Sequence, residues 1–357
     1  MMRILVLEPY FGGSHRRFLE DLEKILPFSF HFLTLPARKW KWRMRFSAPW
    51  YAEKLVSLSP DYDALLCSTF VDVATLKGIG PEWLHHIPLY TYFHENQFAY
   101  PVQVEDERDF HFALTNLTTA ISSDKLAFNS HYNLETFLSG CQKIIKKVPD
   151  MKLDAVSSIR NKSIVLHPGM DFSNLDLIKR AEIEENDPII VWNHRWEHDK
   201  NPEFFFETLF ALDEEDIAFK VIVLGQSFER QPSIFNIARQ RLAHRLLYFG
   251  YAEDIDKYYE LLGQGTMVIS TSVHEFYGMS IIEAVRAGCR PLLPKRLSYP
   301  ELFPEKYLYE DDNFVERVKK DLQLGPLDNE MSRKLTQEYS WESLSSFYEQ
   351  WLFVPSS

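Results

Sequence analysis

The sequence predicts an α/β protein built from two doubly wound, Rossmann-like domains. Three observations carry this. The chain has 357 residues, roughly twice a common domain length. Short β-rich apolar runs alternate with helical patterns along nearly all of it, as in βαβ units around a parallel sheet. Midway, a polar stretch over residues 180–187, closed by Pro188, interrupts the alternation and marks a linker.

In the first half, strands are expected at residues 3–7, 28–33, 64–67, 89–93, 120–122 and 164–166. In the second half they are expected at 189–193, 220–224, 247–250, 267–270 and 290–293, with helices between them, notably at 201–212 and 281–287. Residues 341–352 have the aromatic and apolar spacing of an amphipathic helix. The expected domains are therefore 1–172 and 186–338, with 339–357 as a terminal helix that packs back on the first. Two such sheets facing each other would put an active site in the cleft between their carboxyl ends.

Composition removes several classes. With 45% apolar and 25% charged residues the chain is neither disordered nor membrane-embedded. Its net charge of −12 argues against wholesale coating of nucleic acid or anionic lipid. The balance is uneven, because residues 1–50 hold nine Lys/Arg against four acids, a local +5, and the other 307 residues carry −17. Cys67, Cys141 and Cys289 are scattered and odd in number, so neither a disulfide framework nor a cysteine zinc site is indicated. The apolar start at residues 4–7 is too short for a signal peptide, and no run approaches a membrane span. These features predict a cytoplasmic protein without an anchor.

The most informative segment is His274-Glu275-Phe276-Tyr277-Gly278-Met279-Ser280-Ile281-Ile282-Glu283-Ala284, which follows an expected strand and opens an expected helix. Gly278 lets the backbone approach a ligand, and the amides of Gly278, Met279 and Ser280 would face phosphate at the helix N-terminus. Glu275 in the loop and Glu283 inside the helix suit the vicinal hydroxyls of a sugar and a ribose on either side of a pyrophosphate. The same two carboxylates also fit a dipole partner and a solvated helix face. Upstream, Arg195 and Lys200 lie at the carboxyl end of the 189–193 strand, before Pro202 can start a helix. Two cations there can neutralise the charge that grows on a departing diphosphate; an exposed charged loop would read similarly.

In the first half, Gly12 and Gly13 stand between a strand and a helix. They can admit phosphate to the backbone or simply make a tight turn. The spacing is not G-x-G-x-x-G, which disfavours nicotinamide chemistry. His94, clustered with Glu95, Asn96 and Gln97 at another strand's end, can hydrogen-bond a sugar hydroxyl or transfer a proton. Asp61/Asp63 and Asp254/Asp256 lack the loop context of a D-x-D metal site, and no metal is expected. Finally, Arg38-Lys39-Trp40-Lys41-Trp42-Arg43-Met44-Arg45 interleaves five cations with two tryptophans, the composition of a single-stranded or loop RNA contact. An amphipathic element with snorkelling basic side chains has the same composition.

Together, Arg195/Lys200, the Glu275-x₇-Glu283 segment, the His167-Pro168-Gly169-Met170-Asp171 turn and the closing Tyr339-Ser340-Trp341-Glu342 resemble the retaining GT-B glycosyltransferases over nearly the whole chain. The resemblance implies two facing Rossmann-like domains, the second holding a nucleotide sugar. Arg195 and Lys200 would then bind the donor diphosphate, Glu275 the hexose and Glu283 the ribose, with His94 beside the reacting sugar. Tyr277 stands where Phe is usual, and Trp196 where Leu is common.

More narrowly, Leu7-Glu8-Pro9-Tyr10-Phe11-Gly12-Gly13-Ser14-His15, the segment from Lys39 to Arg45 and Tyr92-Phe93-His94-Glu95-Asn96-Gln97 resemble the tRNA-queuosine α-mannosyltransferase family. That resemblance implies transfer of mannose from GDP-mannose to queuosine at the wobble position of tRNA-Asp, with retention and without metal or other cofactor. It implies a donor pocket completed by Gly12 and Gly13, and an RNA contact through Arg38, Lys39, Trp40, Lys41, Trp42, Arg43 and Arg45. Two other readings stay open: a retaining GT-B enzyme with another donor and a lipid, glycan or small-molecule acceptor, and a noncatalytic module that binds RNA or a nucleotide sugar.

Overall fold

The computed structural model describes residues 1–100, 110–150, 152–178, 187–227 and 231–354. The linker expected at residues 180–187 lies, except for Asp187, outside the described residues. The chain divides into two compact units, one formed by Met1–Met170 with Trp341–Ser357 and the other by Asp171–Ser340.

The first unit runs β1 (Arg3–Phe11), α1 (Gly13–Ile25), β2 (Ser29–Pro36), α2 (Trp40–Leu55), β3 (Ala64–Ser68), α3 (Val73–Ile79), β4 (Leu89–Phe93), α4 (Phe110–Ser122), β5 (Lys125–Phe128), α5 (His131–Ile145), α6 (Ala155–Asn161) and β6 (Ser163–Val165). Its sheet has the order β2-β1-β3-β4-β5-β6 with every pairing parallel. Strands β3 and β4 are buried along their whole length, as a parallel sheet covered on both faces requires. Strand β1 continues past Leu7 to Phe11 through an irregularity in its pairing with β2.

One sequence expectation fails here. Residues 120–122 form the last turn of α4 rather than a strand, with the Ser123 amide donating to Thr119 O at 3.0 Å, and the strand begins at Lys125. A three-residue apolar run has no period of its own. Thr119 and Ala120 bury on the inner face of a helix that started ten residues earlier.

The second unit contains β7 (Ile189–Asn193), α7 (Pro202–Glu214), β8 (Lys220–Leu224), α8 (Ile234–Arg241), β9 (Leu246–Gly250), α9 (Ile255–Gly263), β10 (Met267–Ile269), α10 (Met279–Arg286), β11 (Arg290–Pro294), α11 (Tyr299–Leu302), β12 (Leu308–Tyr309), α12 (Phe314–Leu322) and α13 (Asn329–Thr336). The parallel sheet order β12-β11-β10-β7-β8-β9 is that of a dinucleotide-binding fold read from its other edge. An aromatic core of Trp192, Trp196, Phe205, Phe206 and Phe235 fills one side of it. The final helix, α14 (Trp341–Leu352), belongs to the first unit. Its Trp341 indole donates to Asp21 Oδ2 at 3.0 Å and Tyr348 Oη donates to His167 O at 2.9 Å, while both rings bury beside Phe18.

Candidate active site

Ligands in open parallel sheets bind where the strand order reverses direction. In the second unit that point lies between β7 and β10. The loop after β7 carries Arg195 and Lys200, and the loop after β10 carries His274, Glu275 and Gly278. The two loops are stitched together, since the Val273 amide donates to Asp199 O at 2.9 Å and Thr271 Oγ1 donates to Lys200 O at 2.9 Å.

Lys200 is 5% exposed. Its ammonium donates to His274 O at 2.7 Å and Glu275 Oε2 at 3.2 Å, and it lies 3.2 Å from Asp199 Oδ2. Burial alone would raise the Glu275 carboxyl, but the Lys200 ammonium, the Tyr277 amide and the flanking histidines together overcome it and hold Glu275 down to about 2. Burial would lower Lys200; Glu275 and Asp199 reverse this and raise it above its ordinary value. The imidazoles of His194 and His274 are driven down to about 3 and about 4, first by burial and then by Lys200, so both are neutral near pH 7. Arg195 is half-exposed and meets Glu197 Oε2 at 3.1 Å. The site thus joins a buried, fixed ammonium to a solvent-facing guanidinium.

Helix α10 starts beside these groups. Gly278 has φ +104°, a conformation open to glycine, and a Cβ there would come 3.2 Å from the Tyr299 ring. Helical hydrogen bonding starts with the amides of Ile281 and Ile282 onto Gly278 O. The amides of Gly278, Met279 and Ser280 therefore precede the ladder, as the first turn of any helix dictates. Glu283, on the second turn, is buried and accepts from Tyr258 Oη at 2.7 Å, while Asn193 Nδ2 donates to Tyr258 Oη and to Ser280 O. Sequence reasoning found Glu283 but not Tyr258, which comes from α9 and carries no local signal. It also missed His194, whose Nε2 is buried without a protein hydrogen bond.

In the first unit the strand order reverses between β1 and β3. Gly12 follows β1 as the N-cap of α1, and Gly13 opens the helix with φ +53°, with open space where its Cβ would stand. Next to them lies a cluster of two histidines and two carboxylates. His15 Nδ1 is 3.0 Å from Glu8 Oε2 and its Nε2 is 3.4 Å from Glu95 Oε2. Burial opposes a charge on His15, yet the two carboxylates prevail and raise it to about 10. His94 packs on His15 at a tilt, with centroids 4.1 Å apart, and is pushed well below its ordinary value, by burial and then by the His15 charge. His94 is thus a neutral hydrogen-bonding group, not an acid, near pH 7. The sequence reading named His94 and the glycines; the Glu8–His15–Glu95 chain escaped it, because Glu95 lies 80 residues from His15.

The basic, aromatic segment forms the start of α2, after Lys39 in a left-handed conformation. The helix sorts it. Arg38, Lys39, Lys41, Trp42 and Arg45 are exposed. Trp40 is half-buried against Phe70 and Phe112, and Arg43 Nη2 donates to Pro36 O at 3.2 Å. Among the described residues, no group of three or more His, Cys, Asp or Glu is placed to hold a metal, and no helix is long and apolar enough to cross a membrane.

Residues 3–170 match the family described as tRNA-queuosine alpha-mannosyltransferase N-terminal, and residues 174–338 match glycosyl transferases group 1. A tRNA-queuosine alpha-mannosyltransferase of Drosophila melanogaster is 34% identical over 319 residues, covering 87% of this chain and 84% of the relative. The chain belongs to the tRNA-queuosine alpha-mannosyltransferase family. It is a glycosyltransferase, and its architecture is GT-B. The fold is shared with solved structures of low identity. Sucrose-phosphate synthase of Thermosynechococcus elongatus superposes with a TM-score of 0.71 at 13% identity, over 98% of each chain. The HepE protein of Anabaena in complex with UDP gives 0.69 at 14% identity, over 98% of this chain and 99% of that one.

Proposed function

We propose that this transferase moves mannose from GDP-mannose to the cyclopentenediol of queuosine at the wobble position of tRNA-Asp, in the cytoplasm, with retention at the anomeric carbon. The observation that carries the donor side is the pair of buried Lys200 and partly buried Glu275 beside the start of α10. Arg195, Lys200 and the amides of Gly278, Met279 and Ser280 are the groups suited to the diphosphate, whose charge grows as the sugar–phosphate bond breaks. Glu275, held ionised, accepts hydrogen bonds from hexose hydroxyls. Glu283, steadied by Tyr258, takes the ribose diol. In the first unit, neutral His94 and the open backbone at Gly13 are the groups suited to a sugar hydroxyl and a phosphate.

The chemistry follows from a donor whose own leaving group is basic. The bond from the anomeric carbon to the diphosphate oxygen breaks, and the acceptor oxygen bonds to that carbon from the same face. The acceptor proton passes to a diphosphate oxygen, and GDP leaves. Lys200 and Arg195 act on the charge that develops in this step, which is where an electrostatic group lowers the barrier most. The acceptor assignment is supported by the match of residues 3–170 and by the exposed cations of α2.

Labelled GDP-mannose with matched tRNAs that contain or lack queuosine tests the reading. Label should enter only the modified tRNA. Incorporation into neither, with tight tRNA binding retained, would favour a binding module; labelling of both would remove queuosine as the acceptor.

A further inference from the structure

Large aromatic side chains belong in a core or at an interface, so a row of them in solvent requires an explanation. Helix α2 has a complete inner face, with Met44, Ala48, Tyr51, Ala52 and Leu55 buried. Trp42, Phe46 and Trp50 nevertheless stand on its outside, 62%, 58% and 36% exposed. The four-residue spacing stacks them along one side of the helix, each about 6 Å beyond the last. The first two rings already touch, with centroids 5.5 Å apart, and Lys54, one turn past Trp50, lies 5.6 Å from the centre of its ring. Alongside runs a second exposed row that begins with Lys41 and Arg45, continuous with Arg38 and Lys39 before the helix.

We propose that the outer face of α2 is a stacking platform for unpaired bases of the acceptor RNA. In this arrangement Trp42, Phe46 and Trp50 meet base faces, and the neighbouring cations meet the phosphates between them. The inference rests on the RNA-acceptor reading and extends it to Phe46, Trp50 and Lys54, none of which lies in the segment from Arg38 to Arg45. Charge selects the partner. In a chain of net −12 the first fifty residues carry a local excess of five positive charges, and five of their nine cations lie between Arg38 and Arg45, on or just before this helix. Geometry selects the state of the RNA. Rings about 6 Å apart are spaced more widely than bases stacked along a strand at about 3.4 Å, so the row suits bases splayed from one another, as in a loop. A duplex would offer the helix backbone and 2′-hydroxyls, leaving the rings unused.

The test is equilibrium binding of the full-length protein to queuosine-containing tRNA and to its isolated anticodon stem-loop, over a range of salt. Phe46→Ala/Trp50→Ala should weaken both complexes by at least about tenfold while leaving the salt slope unchanged, because stacking releases no counterions. Trp50→Phe should restore most of the loss in the Phe46→Ala background, compared with Trp50→Ala. Lys41→Ala/Arg45→Ala should instead flatten the slope, by roughly 0.7 for each single-strand phosphate that the variant no longer neutralises. Phe46 is mostly exposed, so Phe46→Ala should hardly move thermal unfolding, whereas Trp50→Ala, which removes a ring edge-on to Tyr51, should lower it modestly. Wild-type affinity in Phe46→Ala/Trp50→Ala overturns the platform alone. So does a loss confined to binding of phosphatidylserine vesicles, which would mark a membrane-facing helix. Wild-type protein that binds no tRNA overturns the acceptor reading and the platform together.

Discussion

The His15 and His94 rings lie 4.1 Å apart, centroid to centroid, and burial together with the charge on the first keeps the second neutral. The asymmetry comes from their neighbours. Glu8 and Glu95 bracket the His15 ring, whereas His94 lies among Phe18, Tyr92 and the His15 cation itself. One imidazole is thereby a fixed positive centre in the first turn of α1, and the other is a neutral group at the end of β4.

This arrangement sets a pH dependence of stability. The folded value of His15, about 10, lies above the ordinary 6.5, so its contribution is complete below pH 6.5 and is lost as pH rises through 10. Urea unfolding midpoints should fall steadily over that window. His15→Gln should flatten the decline and lower stability at pH 6.5, because Glu8 then stays buried without its cation. An unchanged pH profile in the variant would show that His15 is not the titrating group.

Lys200→Ala should reduce turnover by about 10²–10³-fold, the loss seen when one donor to a developing charge is removed, while tRNA affinity is retained. Glu275 adds an acid-side signature. Its folded value, about 2, lies below the ordinary 4.5, so its contribution is present above pH 4.5 and disappears as pH falls toward 2. In Lys200→Ala that acid-side loss should shrink, which unfolding curves at pH 5 and pH 3 would register.

Tyr258 donates to Glu283, and in the proposed donor site it is a positioning residue that would reach the ribose through that carboxylate. Tyr258→Phe should raise KM for the nucleotide sugar several-fold with kcat nearly unchanged, since the ribose is held equally in ground and transition states. A fall in kcat at constant KM would place Glu283 closer to the reacting atoms than proposed.

Gly278→Ala puts a Cβ on a residue at φ +104° and 3.2 Å from Tyr299. The strain is worth about 1–3 kcal/mol. Thermal unfolding should shift down accordingly, and donor affinity should fall with it as the first turn of α10 tilts away. Wild-type stability would mean that this turn relaxes without cost.

The parts legible in the sequence are those encoded by contiguous residues. Strands β4, β7 and β8 begin and end where their apolar runs do, because each is a buried parallel strand flanked by turn residues. The loops after β7 and β10 announce themselves by cations, a glycine and a following helix start. What stays hidden depends on distance or phase. The Glu8–His15–Glu95 chain and the Tyr258–Glu283 bond join residues far apart in the chain. The division of the basic segment into an inner Trp40 and an outer Trp42 depends on where α2 starts, at a left-handed Lys39 that no pattern foretells. Residues 120–122 mislead because a short apolar run fits a helix end as well as a strand.

A crystal structure with GDP-mannose soaked or co-crystallised tests the central claim most directly. The account predicts the diphosphate against Arg195, Lys200 and the amides of Gly278, Met279 and Ser280, with the hexose at Glu275 and the ribose at Glu283. A diphosphate bound elsewhere, with the Lys200–Glu275 pair left in its own contacts, would contradict it.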